Sequence, residues 1–560
     1  MQVKITKMIG LLCCAATFQI FQPATCAEIP KILISNEQKQ KPYLPDFSYA
    51  GYGFGLKELP QAKGKIFDVS KYGAVSDDDL DDSAAILEAL EAAHAHNGAS
   101  IVYFPRGKFI ISELLPIQRS NIVIRGAGRG HDGTTLFFPR PLKMVGDGGK
   151  LDELRTYLKK YDKRQRTPAL NLDVPFSEYS WSGGFFWIGA QNSRPAPYLE
   201  EFDKKPTPQA KSISGTRGAL SLELDNSSSL EKNQWIEIRW YNRDGPEAGI
   251  VKALYGDADV KVGSHHWTFA NRPLVVQKTK IIAINGQSIQ IANPLLHDIT
   301  ASTPADIQSW APLTNIGIED LTLSFPKAAH FGHHTEQGYN GIYFSGSADS
   351  WVRNLTITNA DSGILTYSSS NLTFRDIRTT GERNAHYAVH IGNAHNVLVD
   401  RLQIFNPVRH SLTFNTQSTR NVYKDAIVFS ASTLDQHAGA NHQNLFDNVT
   451  LHVNAKKTGK KSVYPIFDGS GAGYWQPGHG GFNTTWNMRV IVEGGADTNE
   501  TVTLQGLDEG PDARIIGVSG NRQFDLDYRP KPYVEFINQE ITAAPSLYNY
   551  QLEKRRKNQN

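Results

Sequence analysis

The chain of 560 residues has only three cysteines, and all of them fall within the first 26 residues: Cys13, Cys14 and Cys26. The rest of the chain therefore lacks thiols for a disulfide framework or a cysteine-based metal site. It also lacks any apolar run that approaches the length needed to span a bilayer. We expect no membrane span beyond the N-terminal segment.

The chain also lacks a large net charge of either sign. Without the two lysines of residues 1–27, 56 basic and 56 acidic residues remain. A broad basic face for nucleic acid is therefore disfavoured, and any affinity for a polyanion must be local. The apolar and charged fractions, 40% and 20%, are ordinary for a folded soluble protein and argue against wholesale disorder.

Residues 1–27 have the layout of a secretory signal peptide. Two lysines precede an apolar run from Met8 to Ile20, and Thr25-Cys26-Ala27 offers small residues for cleavage before Glu28. Lipoprotein processing at one of the cysteines is the weaker alternative. We expect an exported protein, secreted or periplasmic, that acts as a monomer.

An apolar repeat organises the second half of the chain. Its positions are Leu321, Leu355, Ile377, Leu402 and Ile427, at spacings of 34, 22, 25 and 25 residues. Asparagines stand six residues before four of them, at Asn315, Asn371, Asn396 and Asn421. A period in the low twenties with β-type alternation is typical of a solenoid, and the runs are too short and too rich in β-branched residues for helical repeats. The pattern predicts a right-handed parallel β-helix with an asparagine ladder in its turns.

The stretch Phe67-Asp-Val-Ser-Lys-Tyr-Gly-Ala-Val75 precedes an acidic run and an Ala/Leu-rich helical pattern from Ser83 to Ala93. Strand-like segments follow at Ser100–Pro105 and Ser120–Gly128. This order resembles the N-terminal end of the pectate-lyase-like superfamily of parallel β-helix proteins, in which a short helix caps the open end of the solenoid. The resemblance implies a fold and leaves the reaction open, because the superfamily includes lyases, hydrolases, epimerases and phage tailspikes.

We therefore expect an all-β chain, a right-handed parallel β-helix with an N-terminal capping helix and a small β-rich insertion. The insertion is expected at about residues 205–300, where β-prone runs flank the turn signal Asn285-Gly286. The charged C-terminal tail is expected to be disordered. The predicted divisions are 28–62 as an extended segment, 63–140 as cap and first coils, 141–312 as early coils with the insertion, 313–545 as the main β-helix and 546–560 as the tail.

Polar and ionisable residues follow each repeat strand at the same point of the coil, so they are expected to stack into one wall. The candidate catalytic residues in this wall are Arg383, His386, Arg409, His410, Asp435 and His437. The candidate substrate-binding residues are Asp361, Glu382 and His442, together with Tyr474, Trp475 and His479 of a glycine-rich loop. The wall also contains His333, His334 and Glu336, to which no role is assigned.

Two mechanisms suit this wall. In a polysaccharide lyase, a histidine removes the proton α to a uronate carboxylate, whose charge Arg383, Arg409 or a calcium ion neutralises. In a glycoside hydrolase, the alternative, a carboxylic-acid pair from Asp361, Glu382 and Asp435 cleaves the glycosidic bond. A non-catalytic glycan-binding protein is a further alternative. The expected partner in each case is a polysaccharide, and for the lyase an acidic one.

No metal ligands are assigned, although calcium remains a possible cofactor. The motif His333-His334-x-Glu336 lacks the spacing of the common zinc motifs. The five aspartates between Asp77 and Asp82 lack the glycine and terminal glutamate of a calcium-binding EF-hand loop. Their position before a helix favours a solvated helix N-terminus.

Overall fold

A computed structural model describes residues 28–558, apart from residues 39, 162–175, 192, 194–206, 243–248, 257–272, 329–331, 431, 438, 460, 470–478, 495–499 and 507–509. The predicted signal peptide lies outside the described residues. Within them, no helix is long and apolar enough to cross a membrane.

The longest sheet has nineteen strands, and its neighbouring strands pair in parallel. They are Lys65–Asp68, Ser100–Tyr103, Gly107–Ile110, Ile122–Arg125, Thr134–Phe137, Leu313–Thr314, Gly317–Ser324, Ser347–Thr358, Ser369–Thr380, Ala394–His395, Leu398–Asp400, Gln403–Ile404, Val422–Lys424, Ile427–Val428, Leu445–Asp447, Thr450–Val453, Thr484–Val492, Arg514–Gly520 and Tyr533–Ile537.

A second parallel sheet of nine strands lies across the core from the first. Its strands are Leu115–Ile117, Phe186–Ile188, Asn340–Ser345, Ser362–Tyr367, Ala385–Gly392, Val408–His410, Leu412–Asn415, Leu434–His437 and Phe467–Asp468. We call it the site sheet, because five of the six candidate catalytic residues lie on it. A smaller sheet at the C-terminal end comprises Lys456–Thr458, Lys461–Tyr464, Val502–Gln505 and Phe524–Asp527. Successive coils alternate between the long sheets, which confirms the predicted parallel β-helix.

The β-rich insertion is also confirmed. Six antiparallel strands close into a barrel: Ala210–Ser214, Ser221–Leu224, Trp235–Tyr241, Pro273–Asn285, Ser288–Ile291 and Ala305–Ser309. Asn285 and Ser288 pair across the turn that Asn285-Gly286 predicts. The barrel has its own apolar core, in which Ile236, Ile238 and Trp240 are fully buried.

The repeat pattern was right at four of its five positions. Leu321, Leu355 and Ile377 stand side by side on neighbouring coils, and all three are fully buried. On the next coil, the residue in register with Leu402 is Ala426, because Gln403 pairs with Ile427. The assignment of Ile427 is therefore wrong by one residue, since this coil is one residue shorter than its predecessor.

Three of the four predicted asparagines occupy the expected turn positions, and the fourth does not. Asn315, Asn371 and Asn396 adopt the left-handed backbone that tight turns require, with φ of 57°, 55° and 53°. At the next coil Arg420 takes that conformation, and Asn421 instead donates from Nδ2 to Asn444 Oδ1 over 3.0 Å. The one-residue shift is the same as at Ile427.

The α-helices are Lys31–Glu37, Ser83–Ala95, Leu142–Val145, Asp152–Tyr161, Gly249–Tyr255 and Leu547–Lys557, and 3-10 turns occur at Val69–Tyr72 and Glu178–Ser180. The capping helix is Ser83–Ala95, whose buried face of Ile86, Ala89, Leu90 and Ala93 covers the first coil. This confirms the predicted cap, which shields apolar side chains that the first coil would expose.

The acidic run before the capping helix stabilises the neighbouring turns through hydrogen bonds and an ion pair. Asp77 Oδ1 accepts from the backbone N–H of Lys108 over 2.9 Å, and Asp79 pairs with the Lys108 ammonium over 2.7 Å. Asp82 accepts from the backbone N–H groups of Val75 and Ile110. These contacts explain the clustered aspartates without an ion.

Two expectations about the termini were wrong. Residues 31–37, placed in an extended segment, form a helix whose first N–H groups donate to the Glu535 carboxylate. The C-terminal tail, expected to be disordered, forms the helix Leu547–Lys557. Its Leu547 and Tyr548 are buried, and their N–H groups donate to the fully buried Asp447 carboxylate. A tertiary partner thus stabilises a helix that charge composition alone does not predict.

Candidate active site

Strand register on the site sheet places polar residues from successive coils beside one another. His390 lies beside Thr413, Thr413 beside Asp435, and Asp435 beside Asp468. This ladder crosses four neighbouring coils and runs perpendicular to the strands. Since equivalent positions of a parallel β-helix stack, side chains far apart in sequence form one surface.

Asp435 is the centre of the first polar network. Its carboxylate is fully buried and accepts a hydrogen bond from Thr413 Oγ1 over 2.6 Å. His437 Nδ1 lies 3.3 Å from Oδ1, and His410 Nδ1 lies 3.1 Å from Oδ2. One carboxylate therefore orients two imidazole rings.

This network sets the proton affinities of its members. Burial alone would raise the pKa of Asp435, but His437 and His410 outweigh it and hold that pKa well below its usual range. Burial alone would lower the pKa of His437, but the Asp435 charge outweighs it and raises that pKa above the usual histidine value. His437 is therefore a histidine made more basic by a neighbouring carboxylate, and its side chain keeps 14% of its surface exposed.

Glu336 is the centre of a second network. Its Oε1 lies 3.0 Å from His386 Nδ1 and accepts from the backbone N–H of His334, while Oε2 accepts from Ser180 Oγ over 2.6 Å. Glu336 is buried, as is His386. It thus holds His386 much as Asp435 holds His410.

His333 joins the two networks. Its Nε2 lies 3.1 Å from His386 Nε2 and 3.4 Å from His410 Nε2. His334 stacks on it with ring centroids 3.7 Å apart. Burial and the neighbouring histidines lower the pKa of both His386 and His333. His386 and His333 are therefore expected to be neutral at neutral pH.

Asp361 and Arg383 form a separate buried pair. Arg383 donates from one terminal nitrogen to Asp361 Oδ1 over 3.0 Å and from the other to the Pro326 carbonyl over 2.9 Å, and its guanidinium lies over the Tyr339 ring. Asp361 Oδ2 also accepts from two backbone N–H groups, those of Gly338 and Tyr339. Burial raises the pKa of Asp361, and these contacts oppose the rise. Both side chains are at most 4% exposed. The pair therefore holds the backbone at Pro326 and at Gly338–Tyr339 in place rather than contacting a substrate.

A groove of about 1020 Å³ lies beside these networks. Its wall includes Arg409, whose side chain is exposed, and Asp468, which pairs in register with Asp435. Two further cations, Lys456 and Arg529, line the groove together with the carboxylates of Asp468 and Asp527, and Arg529 Nε lies 3.9 Å from Asp527 Oδ1. The groove is large enough for several sugar units and carries one more cation than carboxylate.

The structure brings most of the predicted catalytic residues together. His386, His410, Asp435 and His437 lie in the joined networks, and Arg409 follows on the groove wall. Arg383 is nearby, but its guanidinium is committed to Asp361, so its predicted role as a charge neutraliser is wrong.

The predicted substrate-binding residues lie mostly elsewhere. Glu382 is exposed and pairs with Lys327 over 2.6 Å. His442 is fully buried against the barrel, with Nε2 2.8 Å from His297 Nε2, and His479 is fully buried with Nε2 2.9 Å from the Tyr528 hydroxyl. The substrate-binding assignments of His442 and His479 are therefore wrong, because neither reaches solvent. Tyr474 and Trp475 lie outside the described residues.

The sequence interpretation left out His333 and Glu336, which complete the site. The available signal was the clustering of histidines and a glutamate directly after the strand Gly317–Ser324. The spacing of these residues matches no linear zinc motif, so the sequence alone assigns them no role. In a solenoid the remaining partners come from other coils, so linear spacing is a poor guide.

Two groups of side chains bring three metal-ligating atoms within 4.8 Å of one another. They are His333, His334 and His386, and His410, Asp435 and His437. Imidazole nitrogen suits zinc and other first-row transition metals better than calcium, which prefers oxygen.

Two family models match the chain. Residues 66–136 match the family described as rhamnogalacturonase A/epimerase, pectate lyase-like, and residues 318–472 match the right-handed β-helix region. No curated protein matches the chain in sequence.

Several solved structures are similar. The tailspike protein gp49 from Pseudomonas phage LKA1 is 11% identical, with 83% of this chain and 78% of that chain covered and a TM-score of 0.44. An exopolygalacturonase from Thermotoga maritima is 9% identical, with 86% and 94% covered and a TM-score of 0.35. The A-module of the mannuronan C-5 epimerase AlgE4 from Azotobacter vinelandii is 12% identical, with 85% and 97% covered and a TM-score of 0.32.

The two long parallel sheets and the polar ladder across one of them define a β-helix protein with a candidate site on its lateral face. The chain is a right-handed parallel β-helix protein that is similar to the pectate-lyase-like family model over residues 66–136 and to the right-handed β-helix region over residues 318–472.

Proposed function

We propose that the protein is an exported enzyme that acts on a polysaccharide, and specifically a lyase that cleaves a uronate-containing chain by β-elimination. The observation that carries this proposal is the Asp435–His437 pair, since Asp435 stands in register with Asp468 of the groove wall that also presents the exposed Arg409. A carboxylate-oriented imidazole and a nearby cation are the two groups that this reaction needs.

In the proposed reaction, a base removes the proton on the carbon next to the uronate carboxylate. The electron pair left behind forms a carbon–carbon double bond, the neighbouring carbon–oxygen bond breaks, and the departing oxygen is protonated. The proton at this carbon is too weakly acidic to remove unless the carboxylate charge is neutralised. Two chain fragments result, one with an unsaturated sugar at its new end.

His437 is the proposed base. Its Nδ1 is held by Asp435, which leaves Nε2 as the atom that takes the proton. Arg409 is the proposed neutraliser, because it is exposed on the groove wall whereas Arg383 is buried and paired. A guanidinium binds a carboxylate with two parallel hydrogen bonds, which suits a uronate.

The observed contacts favour a lyase over a hydrolase that uses the three acids proposed from sequence. Asp435 is committed to two histidines and a threonine, Asp361 to Arg383 and two N–H groups, and Glu382 to Lys327. A hydrolase on this fold would instead draw on Asp468 and Asp527, which both line the groove.

A substrate panel tests the reaction class. The protein is incubated with alginate, pectate, glycosaminoglycans and sulfated algal glycans, while ultraviolet absorbance and new reducing ends are followed. A lyase raises both signals together. Reducing ends without absorbance would identify a hydrolase, and binding without either signal would identify a glycan-binding protein; both outcomes refute the proposal.

A methyl-ester comparison tests the role of Arg409. Arg409→Ala is expected to reduce turnover of a uronate chain far more than turnover of its methyl ester, whose carboxyl group is already neutral. Lys211→Ala, which removes an exposed cation from the barrel, is the matched control and should leave both rates unchanged. Equal losses on acid and ester would show that Arg409 does not neutralise the carboxylate.

A further inference from the structure

The geometry of the two joined networks suggests a metal centre. We propose that His333, His386 and His410 bind a first-row transition-metal ion of the Zn²⁺ type through their Nε2 atoms. The proposal is independent of the lyase reaction, since it concerns binding and involves neither His437 nor Arg409.

The distances from His333 Nε2 to the other two nitrogen atoms match such a centre. Two imidazole nitrogens bound to tetrahedral zinc at about 2.0–2.1 Å stand about 3.3–3.4 Å apart. The His333 Nε2 atom lies 3.1 Å from His386 Nε2 and 3.4 Å from His410 Nε2. Both distances are close to that separation, while the ring centroids of His386 and His410 lie 5.4 Å apart, so the ion would draw these two rings together.

Hydrogen bonding alone explains this contact poorly. A carboxylate lies within 3.1 Å of Nδ1 in both His386 and His410, and an ionised carboxylate only accepts, so it favours the proton on Nδ1. In the neutral ring, Nε2 then presents a lone pair. His333 Nε2 has one proton at most and can satisfy only one of these two lone pairs. With all three rings neutral, at least one nitrogen–nitrogen contact lacks a proton, unless a metal cation lies between the rings.

The surroundings follow the usual pattern of histidine metal sites. A ligating histidine typically directs its other ring nitrogen to a carboxylate, which fixes the ring and raises its basicity. Glu336 and Asp435 stand in this position for His386 and His410. Neither Nδ1 makes a hydrogen bond of good geometry, although both are buried. Such buried polar atoms call for an explanation, and an ion that reorients the rings supplies one.

The site is open on one side. His386 and His410 are buried, whereas His333 is exposed. Three protein ligands with solvent access leave a fourth position for water or for an oxygen atom of a bound molecule, as in catalytic zinc sites. Calcium does not fit, because the three donors are all nitrogen.

Metal titration of a tag-free protein tests the proposal. All three cysteines are replaced by serine so that no thiol competes, and the chelator-stripped protein is titrated with Zn²⁺ by calorimetry and with Co²⁺ by visible absorption. One ion per chain and the absorption of a tetrahedral Co²⁺ centre are expected. No binding of either ion would overturn the proposal.

Variants identify the ligands. His333→Ala is the main variant, because it removes an exposed ring and leaves no buried carboxylate without a partner. It should weaken Zn²⁺ binding by more than about 100-fold. Glu336→Gln removes only a carboxylate that supports a ligand, so its expected loss is smaller, about 10–100-fold. His131→Ala, at a fully exposed histidine, is the control and should bind as tightly as the parent.

His334→Ala tests the competing ligand set. His334 belongs to a ligand group with His333 and His386, but its ring stacks on His333 and also contacts Phe176 and Trp181. The proposal expects His334→Ala to keep the Co²⁺ spectrum and His410→Ala to lose it. The opposite result, or unchanged binding in His333→Ala, would overturn the assignment.

Discussion

Replacing His390 by leucine is expected to make the protein less sensitive to acid. His390 lies on the site sheet with only 3% of its surface exposed, and neither of its ring nitrogens makes a hydrogen bond. Burial and the neighbouring His437 and His410 lower its pKa to about 3. The folded protein therefore keeps this ring neutral at pH values where the unfolded chain protonates it.

The sign and size follow from proton linkage. An unfolded histidine titrates near pH 6.5, so below that pH the unfolded state binds a proton that the folded state does not. The free energy of unfolding then falls by about 1.4 kcal/mol for each pH unit, until the pH approaches the folded pKa. From pH 7 to pH 5, His390 alone should lower the free energy of unfolding by about 2 kcal/mol.

Urea unfolding at pH 7, 6 and 5 measures this effect. The comparison is between slopes with pH, because His390→Leu also changes packing against Tyr387 at every pH. The variant should lose about 2 kcal/mol less than the parent between pH 7 and pH 5. His131→Leu is the control, since its ring is exposed and should leave the slope unchanged. Identical slopes for His390→Leu and the parent would refute the reasoning.

Three further predictions concern the site and the C-terminal helix. His437→Gln should lower kcat on the uronate substrate by about 10²–10⁴-fold, the usual contribution of a general base, without a change in melting temperature that would explain the loss. Asp435→Asn should lower kcat and move the acid limb of the pH–rate profile to lower pH, because it removes the charge that raises the pKa of His437; an unmoved limb would exclude His437 as the titrating base. Asp447→Ala should remove the partner of two helix N–H groups and a serine hydroxyl, at about 1.5–3 kcal/mol each, and so speed hydrogen exchange in residues 547–557, whereas the exposed Glu540→Ala should not.

The solenoid could be predicted from sequence because its signal is local and repeated. Each coil must bury one apolar residue at the same point, so Leu321, Leu355 and Ile377 record the period directly. The barrel was predictable for a similar reason, since Asn285-Gly286 specifies a hairpin through its own backbone preferences. The prediction failed at Ile427, where one coil is a residue shorter and a fixed spacing no longer applies.

The residues of the candidate site were harder to predict from sequence than the fold. His410 and His442 both follow a repeat strand, yet His410 faces the histidine cluster and His442 contacts His297, which lies between the barrel strands Ser288–Ile291 and Ala305–Ser309. Arg383 and Arg409 have the same chemistry and similar sequence surroundings, but only Arg383 meets a buried carboxylate. The members of each pair differ in their tertiary contacts, and these contacts come from segments that are distant in the chain.

The sequence by itself determined the class of fold, the capping helix, the insertion and the face on which polar residues collect, because each follows from short-range patterning. Tertiary structure decided which histidines meet. His333 Nε2 lies within 3.4 Å of nitrogen atoms that are 53 and 77 residues away in the chain. That proximity depends on where His333 lies against two later coils, for which no local residue pattern provides a signal.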